Sequence, residues 1–101
     1  MPSTYASFRD FYAFYLAEHT NRTCRRLHVV GSTLVVITLL VALFTQHWML
    51  LWLLPVIGYG FAWVGHFFFE KNRPATFTYP LYSLIGDWVM WWQVISGRLK
   101  F

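Results

Sequence analysis

Charge is scarce in this chain of 101 residues, of which only 12% are Asp, Glu, Lys or Arg. A soluble domain carries roughly 25% charged residues, and a small domain has a large surface for its volume. Because 57% of the residues are hydrophobic, the polar side chains are too few to cover such a surface. The composition excludes a disordered segment, which needs low hydrophobicity, and favours one small integral membrane domain.

Cysteine occurs once, at Cys24, which excludes an intrachain disulfide and a zinc ribbon. The sequence also lacks a GxGxxG run, a Walker loop, a GxSxG elbow and an HExxH pair. Nucleotide binding, serine hydrolysis and zincin chemistry therefore have no supporting motif. We expect no signal peptide, because Asp10 and Glu18 interrupt any early apolar core.

The formal net charge of +4 would suggest a nucleic-acid partner in a soluble protein. Here the basic residues flank long apolar runs, where anionic lipid headgroups and the positive-inside rule explain them better. We therefore expect a lipid bilayer as a partner and no nucleic acid.

Two uncharged apolar runs predict a transmembrane helical hairpin, with spans at 28–46 and 48–69. Trp48 and Trp52 are the expected interfacial anchors of the second span. Lys and Arg occur on both flanks of the hairpin and are absent from its turn. We therefore expect an integral protein of the bacterial inner membrane with both termini in the cytoplasm.

An interfacial helix is expected on each side of this hairpin, which makes the predicted fold class all-α. Residues 5–18 carry aromatic side chains at helical spacing, with Ser7 as the expected N-cap and Asp10 three positions on. A helix packed on the rest of the domain is an equal alternative for this segment. Residues 80–98 form either an interfacial helix, which we prefer, or a third membrane helix, which would carry Arg98 outward.

The spacing of three histidines is the most informative pattern in the sequence. His28 lies 19 residues before His47 in the predicted turn, and His66 lies 19 residues after it. Each is therefore about 28 Å from the turn along its helix, at the same depth on the cytoplasmic side. His19 belongs to the same layer, and Glu70 follows His66 by four positions on one helical face.

Such a group of imidazoles and carboxylates suits non-haem Fe(II) better than structural zinc. Spacing alone leaves a second interpretation open, in which interfacial histidines share one depth without binding a metal. His47 lies on the opposite side of the membrane and is not an expected ligand.

The chain resembles the yeast-type 2-hydroxy fatty acid dioxygenase family, whose bacterial members are short membrane proteins. The resemblance covers about residues 7–99. Several blocks carry it: Glu18-His19 with Asn21, Arg26-Leu27-His28 with Gly31, residues 58–63, Gly65-His66-Phe67-Phe68, residues 70–77, Tyr79-Pro80-Leu81, Ser83-Leu84, and Gly86-Asp87.

This resemblance implies an Fe(II)-dependent enzyme of fatty acid α-oxidation. It would convert a 2-hydroxy fatty acid and O₂ to the acid one carbon shorter plus CO₂. The family's metal-binding histidines correspond to His19, His28 and His66. A 2-hydroxy acid can chelate iron through its carboxylate and hydroxyl, which leaves a position for O₂.

The remaining polar residues have supporting roles in this hypothesis. Glu70 and Asp87 are expected to accept an N–H bond from a ligand histidine, or to pair with a neighbouring Arg. A substrate carboxylate or a lipid headgroup would be held by basic side chains: Arg25, Arg26, Lys71 and Arg73. Self-association into a homo-oligomer stays open.

Two other functional classes are alternatives to the dioxygenase. One is a non-catalytic small membrane protein that binds lipid or a partner protein. The other is a small transporter, which needs ionisable groups near the bilayer midplane. Residues 29–45 and 48–65 contain none there, so a transporter is disfavoured.

Overall fold

A computed structural model describes residues 5–101 of the chain. It contains four α-helices: α1 (Phe8–Ala17), α2 (Arg22–Thr45), α3 (Leu53–Val64) and α4 (Pro80–Ile95). Three shorter helical segments connect them: a 3₁₀ segment at Trp48–Trp52, a π-helical segment at Gly65–Glu70 and a 3₁₀ turn at Ala75–Phe77. Residues 5–101 contain no strand, so the predicted all-α class is confirmed.

Polar caps fix where the first two helices begin. The Ser7 hydroxyl accepts a hydrogen bond from the Asp10 amide at 3.3 Å, as predicted. The Asn21 side chain accepts one from the Cys24 amide at 3.1 Å. An N-cap of this kind satisfies one of the amides that have no partner within a helix. Helix α2 therefore begins at Arg22, ahead of position 28, where the predicted span begins.

The hairpin turn follows from Gln46 and Pro55. Gln46 ends α2 in the left-handed conformation, with φ 58°, which is a common way to terminate a helix. Pro55 lies in the first turn of α3, where its missing N–H needs no partner. The residues before it, Trp48–Trp52, form the 3₁₀ segment.

Two segments, Arg22–Thr45 and Trp48–Glu70, are long and apolar enough to cross a membrane. Their large apolar side chains point outward: Phe44 is 85% exposed, Met49 77% and Trp52 74%. Continuous apolar surface of this kind is rare on soluble monomers and is typical of lipid-facing helices.

Small residues bring the two long segments into close contact. A Cβ atom on Gly31 of α2 would lie 2.6 Å from the Cβ of Phe61 in α3. A Cβ on Gly65 would lie 3.0 Å from the Cys24 sulfur. Neither position has room for a side chain, so glycine allows the backbones to approach as closely as they do.

Helix α1 packs on α4 through a buried aromatic cluster. Phe11 and Tyr15 of α1 are fully buried with Met90 of α4, and the Tyr12 hydroxyl donates a hydrogen bond to the Gln93 side chain. The N-terminal helix therefore lies against the rest of the domain, and its C-terminal end points His19 towards α2.

Candidate metal centre

Three histidine rings converge at one buried point. The Nε2 atom of His28 lies 3.1 Å from the Nε2 of His19 and 3.1 Å from the Nε2 of His66. All three residues are buried. They come from three parts of the chain: just after α1, near the start of α2, and the π-helical segment. The structure thus brings together the three histidines that were predicted as metal ligands.

Hydrogen bonds on the far side of two rings determine their tautomers. His19 Nδ1 lies 2.7 Å from the Tyr15 carbonyl, which only accepts, so this Nδ1 carries the proton. His66 Nδ1 lies 2.7 Å from Asn72 Oδ1. The Asn72 amide is oriented by its own NH₂ group, which donates to the Glu18 carbonyl at 3.1 Å. The Nε2 atoms of His19 and His66 therefore present lone pairs to the centre of the cluster.

The third ring faces a carboxylate. His28 Nδ1 lies 3.6 Å from Asp87 Oδ1, which is an ion-pair distance and longer than a hydrogen bond. The same oxygen accepts a hydrogen bond from the Tyr15 hydroxyl. Burial raises the pKa of Asp87 to about 7, although the Tyr15 hydrogen bond opposes this rise. Tyr15 thereby contacts His19 through its carbonyl and, through its hydroxyl, the Asp87 carboxylate that faces His28.

The residues present fit a metal ion. The Nε2 atoms of His19 and His66 each lie 3.1 Å from the Nε2 of His28, and ring nitrogens this close repel one another unless a cation or a proton lies between them. A metal–imidazole bond is about 2.0–2.1 Å, so two such bonds at a right angle hold nitrogens about 3 Å apart. Burial and the neighbouring His66 lower the pKa of His19 to about 3, which keeps that ring neutral. A cavity of about 20 Å³, whose wall includes all three rings, is large enough for one ion.

Cys24, which is not among the ligands predicted from the sequence, also belongs to this cluster. Its sulfur and the three histidine nitrogens all lie within 4.8 Å of one another. Cys24 precedes His28 by four positions, so both lie on one face of α2. That spacing was a signal that could have identified it. Asn72 had no comparable signal, because its position depends on the left-handed backbone of Lys71.

Glu70 contacts no histidine ring in the hydrogen bonds of the described chain. Its Oε1 accepts from the Thr20 amide at 3.0 Å and the Thr20 hydroxyl at 2.8 Å, and its Oε2 accepts from the Asn21 amide at 2.6 Å. The π-helical segment explains the difference from the expected contact with His66, because its i→i+5 geometry changes the angle between positions 66 and 70. Glu70 instead ties the loop after His19 to the end of the second long apolar segment.

The four basic residues have different surroundings. The Arg25 guanidinium donates to the His19 carbonyl at 3.2 Å and to the Lys100 carbonyl at 3.1 Å. Arg26 lies over the ring of Phe101, 5.1 Å from its centroid. Two residues lie further along the chain: Arg73 stacks on Phe77 at 4.8 Å, and Lys71 ends the π-helical segment with φ 61°. Arg25 is thus the basic residue in contact with a histidine.

A larger cavity of about 250 Å³ adjoins His28 between α2, α3 and α4. His28 and Asp87 form part of its wall. The rest of the wall is largely apolar and includes Val35, Leu54 and Leu84. A polar centre next to an apolar cavity can hold a molecule with a polar head and an apolar tail.

Comparison with known proteins identifies a family. A family model described as 2-hydroxy-palmitic acid dioxygenase Mpo1-like matches residues 5–99. No curated protein and no solved structure matches the chain. The matched range includes all three converging histidines together with Asn72 and Asp87.

Proposed function

The chain belongs to the Mpo1-like family, and we propose that it is an Fe(II)-dependent dioxygenase of fatty acid α-oxidation. Its proposed substrates are a 2-hydroxy fatty acid and O₂. One observation carries this proposal: three buried imidazole nitrogens converge at 3.1 Å at one end of an apolar cavity. Such a site can hold a metal and an acyl compound side by side.

The proposed reaction balances without a further reductant. A 2-hydroxy acid and O₂ give the acid one carbon shorter, CO₂ and water, so the bond between C1 and C2 breaks. The substrate itself supplies all four electrons that reduce O₂. Bound Fe(II) would supply a chelation point for the carboxylate and hydroxyl and a route for electrons to O₂. Three neutral imidazoles are compatible with this role, because they leave positions open on a six-coordinate ion.

The other residues of the site would keep this arrangement in place. We propose that the Tyr15 carbonyl and the Asn72 side chain hold His19 and His66 in the Nδ1–H tautomer, with Asp87 facing His28. Glu70 acts on the site through the loop that it ties down rather than through a ring nitrogen. Basic side chains remain the proposed partners of a substrate carboxylate or a lipid headgroup: Arg25, Arg26, Lys71 and Arg73.

We propose that the protein lies in a bacterial inner membrane, with the hairpin spanning it and both termini in the cytoplasm. Support comes from the two apolar segments and from the Lys and Arg residues that flank them. The histidine site would then lie at the cytoplasmic end of the hairpin. A fatty acid dissolved in the bilayer can approach that site with its carboxylate at the surface.

Turnover of a defined substrate tests this function. Protein purified anaerobically in mild detergent is loaded with Fe(II), mixed with 2-hydroxypalmitate and exposed to O₂. We expect CO₂ and the acid one carbon shorter in equal amounts. Palmitate, which lacks the hydroxyl, is the control and should give neither product. An iron-loaded protein that binds 2-hydroxypalmitate and forms no product would contradict the proposal and favour the non-catalytic lipid-binding alternative.

A further inference from the structure

The cavity between α2, α3 and α4 continues directly from the histidine site. His28, Tyr59 and Asp87 line both the small cavity among the imidazoles and the larger cavity beside it. A molecule bound at the histidines by its polar end would therefore have its next atoms in the larger cavity.

Helical spacing gives the direction and depth of this larger cavity. His28, Ser32 and Val35 lie on one face of α2, so the wall extends about 10 Å from His28 to Val35. Gly58 of α3 lies opposite, because a Cβ atom built on it would be 3.6 Å from a Val35 methyl carbon. Since α3 returns along α2, Leu54 lies still further from the histidines.

From this geometry we propose that the cavity holds the acyl chain of the substrate and that Gly58 keeps open the passage for a long chain. This inference rests on the proposed function and adds to it a site for the substrate's tail. A short 2-hydroxy acid would end before Gly58, whereas a long one must lie along the part of the cavity wall that Gly58 and Val35 form. The glycine thus acts as a specificity-determining residue for chain length.

A pair of glycines in α3 provides a matched test. Gly58→Leu puts a side chain into the cavity, whereas a Cβ atom on Gly60 meets no atom within 4 Å, so Gly60→Leu is the control. We expect Gly58→Leu to lower kcat/KM for 2-hydroxypalmitate by about 10- to 100-fold, the usual effect of overfilling a packed space. Activity on 2-hydroxyhexanoate should stay within a few fold of the parent.

Gly58→Ala gives a graded second variant. Its single methyl makes only an ordinary contact with Val35, so the variant should fold and show a smaller shift in the same direction. Iron content and helical circular dichroism confirm that each variant keeps its structure. Equal losses on both substrates, or the same change in Gly58→Leu and Gly60→Leu, would overturn the inference.

A binding measurement on metal-free protein separates this inference from the catalytic proposal. The probe is a 2-hydroxy fatty acid with a photoreactive diazirine near the middle of its chain. We expect labelling at the less exposed cavity residues Val35, Leu54 and Trp88. Labelling at outward-facing Val56 and Phe44, which are 67% and 85% exposed, would refute the acyl site. Cavity labelling, together with no turnover by the iron-loaded protein, would support the acyl site and contradict the dioxygenase.

Discussion

Asn72 offers the sharpest test of how the histidines are held. Its Oδ1 accepts from His66 Nδ1 at 2.7 Å, and its NH₂ donates to the Glu18 carbonyl at 3.1 Å. Asn72→Leu keeps a similar volume and removes both bonds. Loss of the partner behind a ligand histidine typically weakens metal binding about 10- to 100-fold, or about 1.4–2.7 kcal/mol. We expect this loss in the Fe(II) dissociation constant, measured anaerobically by equilibrium dialysis in detergent.

The conservative variant Asn72→Asp separates the two bonds of this residue. Aspartate still accepts from His66 Nδ1 and can no longer donate to the Glu18 carbonyl, so iron affinity should stay within a few fold of the parent. Equal affinity in the parent and in Asn72→Leu would refute the reasoning. A loss in Asn72→Asp as large as that in Asn72→Leu would show that the bond to Glu18, rather than the one to His66, matters.

Three further predictions follow from the packing and the charges. Glu70→Gln removes a carboxylate that accepts three hydrogen bonds. The free energy of unfolding, followed by the thermal midpoint in detergent, should fall by about 1.5–3 kcal/mol, while the folded protein keeps its iron. Complete loss of iron would make Glu70 a ligand. Gly31→Ala should destabilise the folded protein by about 1–3 kcal/mol, because the new Cβ would lie 2.6 Å from that of Phe61. Gly60→Ala is the control and should not destabilise it. Equal thermal midpoints in the two variants would contradict the close approach of Gly31 and Phe61. Reporter fusions at His47 and after Phe101 should report opposite sides of the membrane, and an external reporter after Phe101 would contradict the proposed topology.

Local chemistry allowed the helices of this chain to be predicted. The apolar runs, the polar residues before α1 and α2 and the Lys and Arg distribution are short-range signals, and Ser7 caps α1 as its position predicted. Helical rise and a tight turn are enough to predict that His28 and His66 lie at the same depth. In the structure the Nε2 atoms of these two rings are 3.1 Å apart.

Departures from regular α-helix account for what the sequence did not predict. The π-helical segment at Gly65–Glu70 moves Glu70 away from the histidines, and the left-handed Lys71 returns the chain so that Asn72 reaches His66. Lysine is an uncommon residue at a positive φ, so no residue-type signal indicated this turn. The contact of Tyr15 with Asp87 links residues far apart in sequence, and such pairs depend on tertiary packing.

Iron binding by single histidine variants tests the central claim most directly. Protein is purified anaerobically in mild detergent, supplied with Fe(II), freed of excess metal and analysed for iron per folded chain. We predict about one iron in the parent and in His47→Ala, and almost none in His19→Ala, His28→Ala or His66→Ala, because each of these removes one of three converging nitrogens. Full iron occupancy in both His28→Ala and His66→Ala would contradict the account.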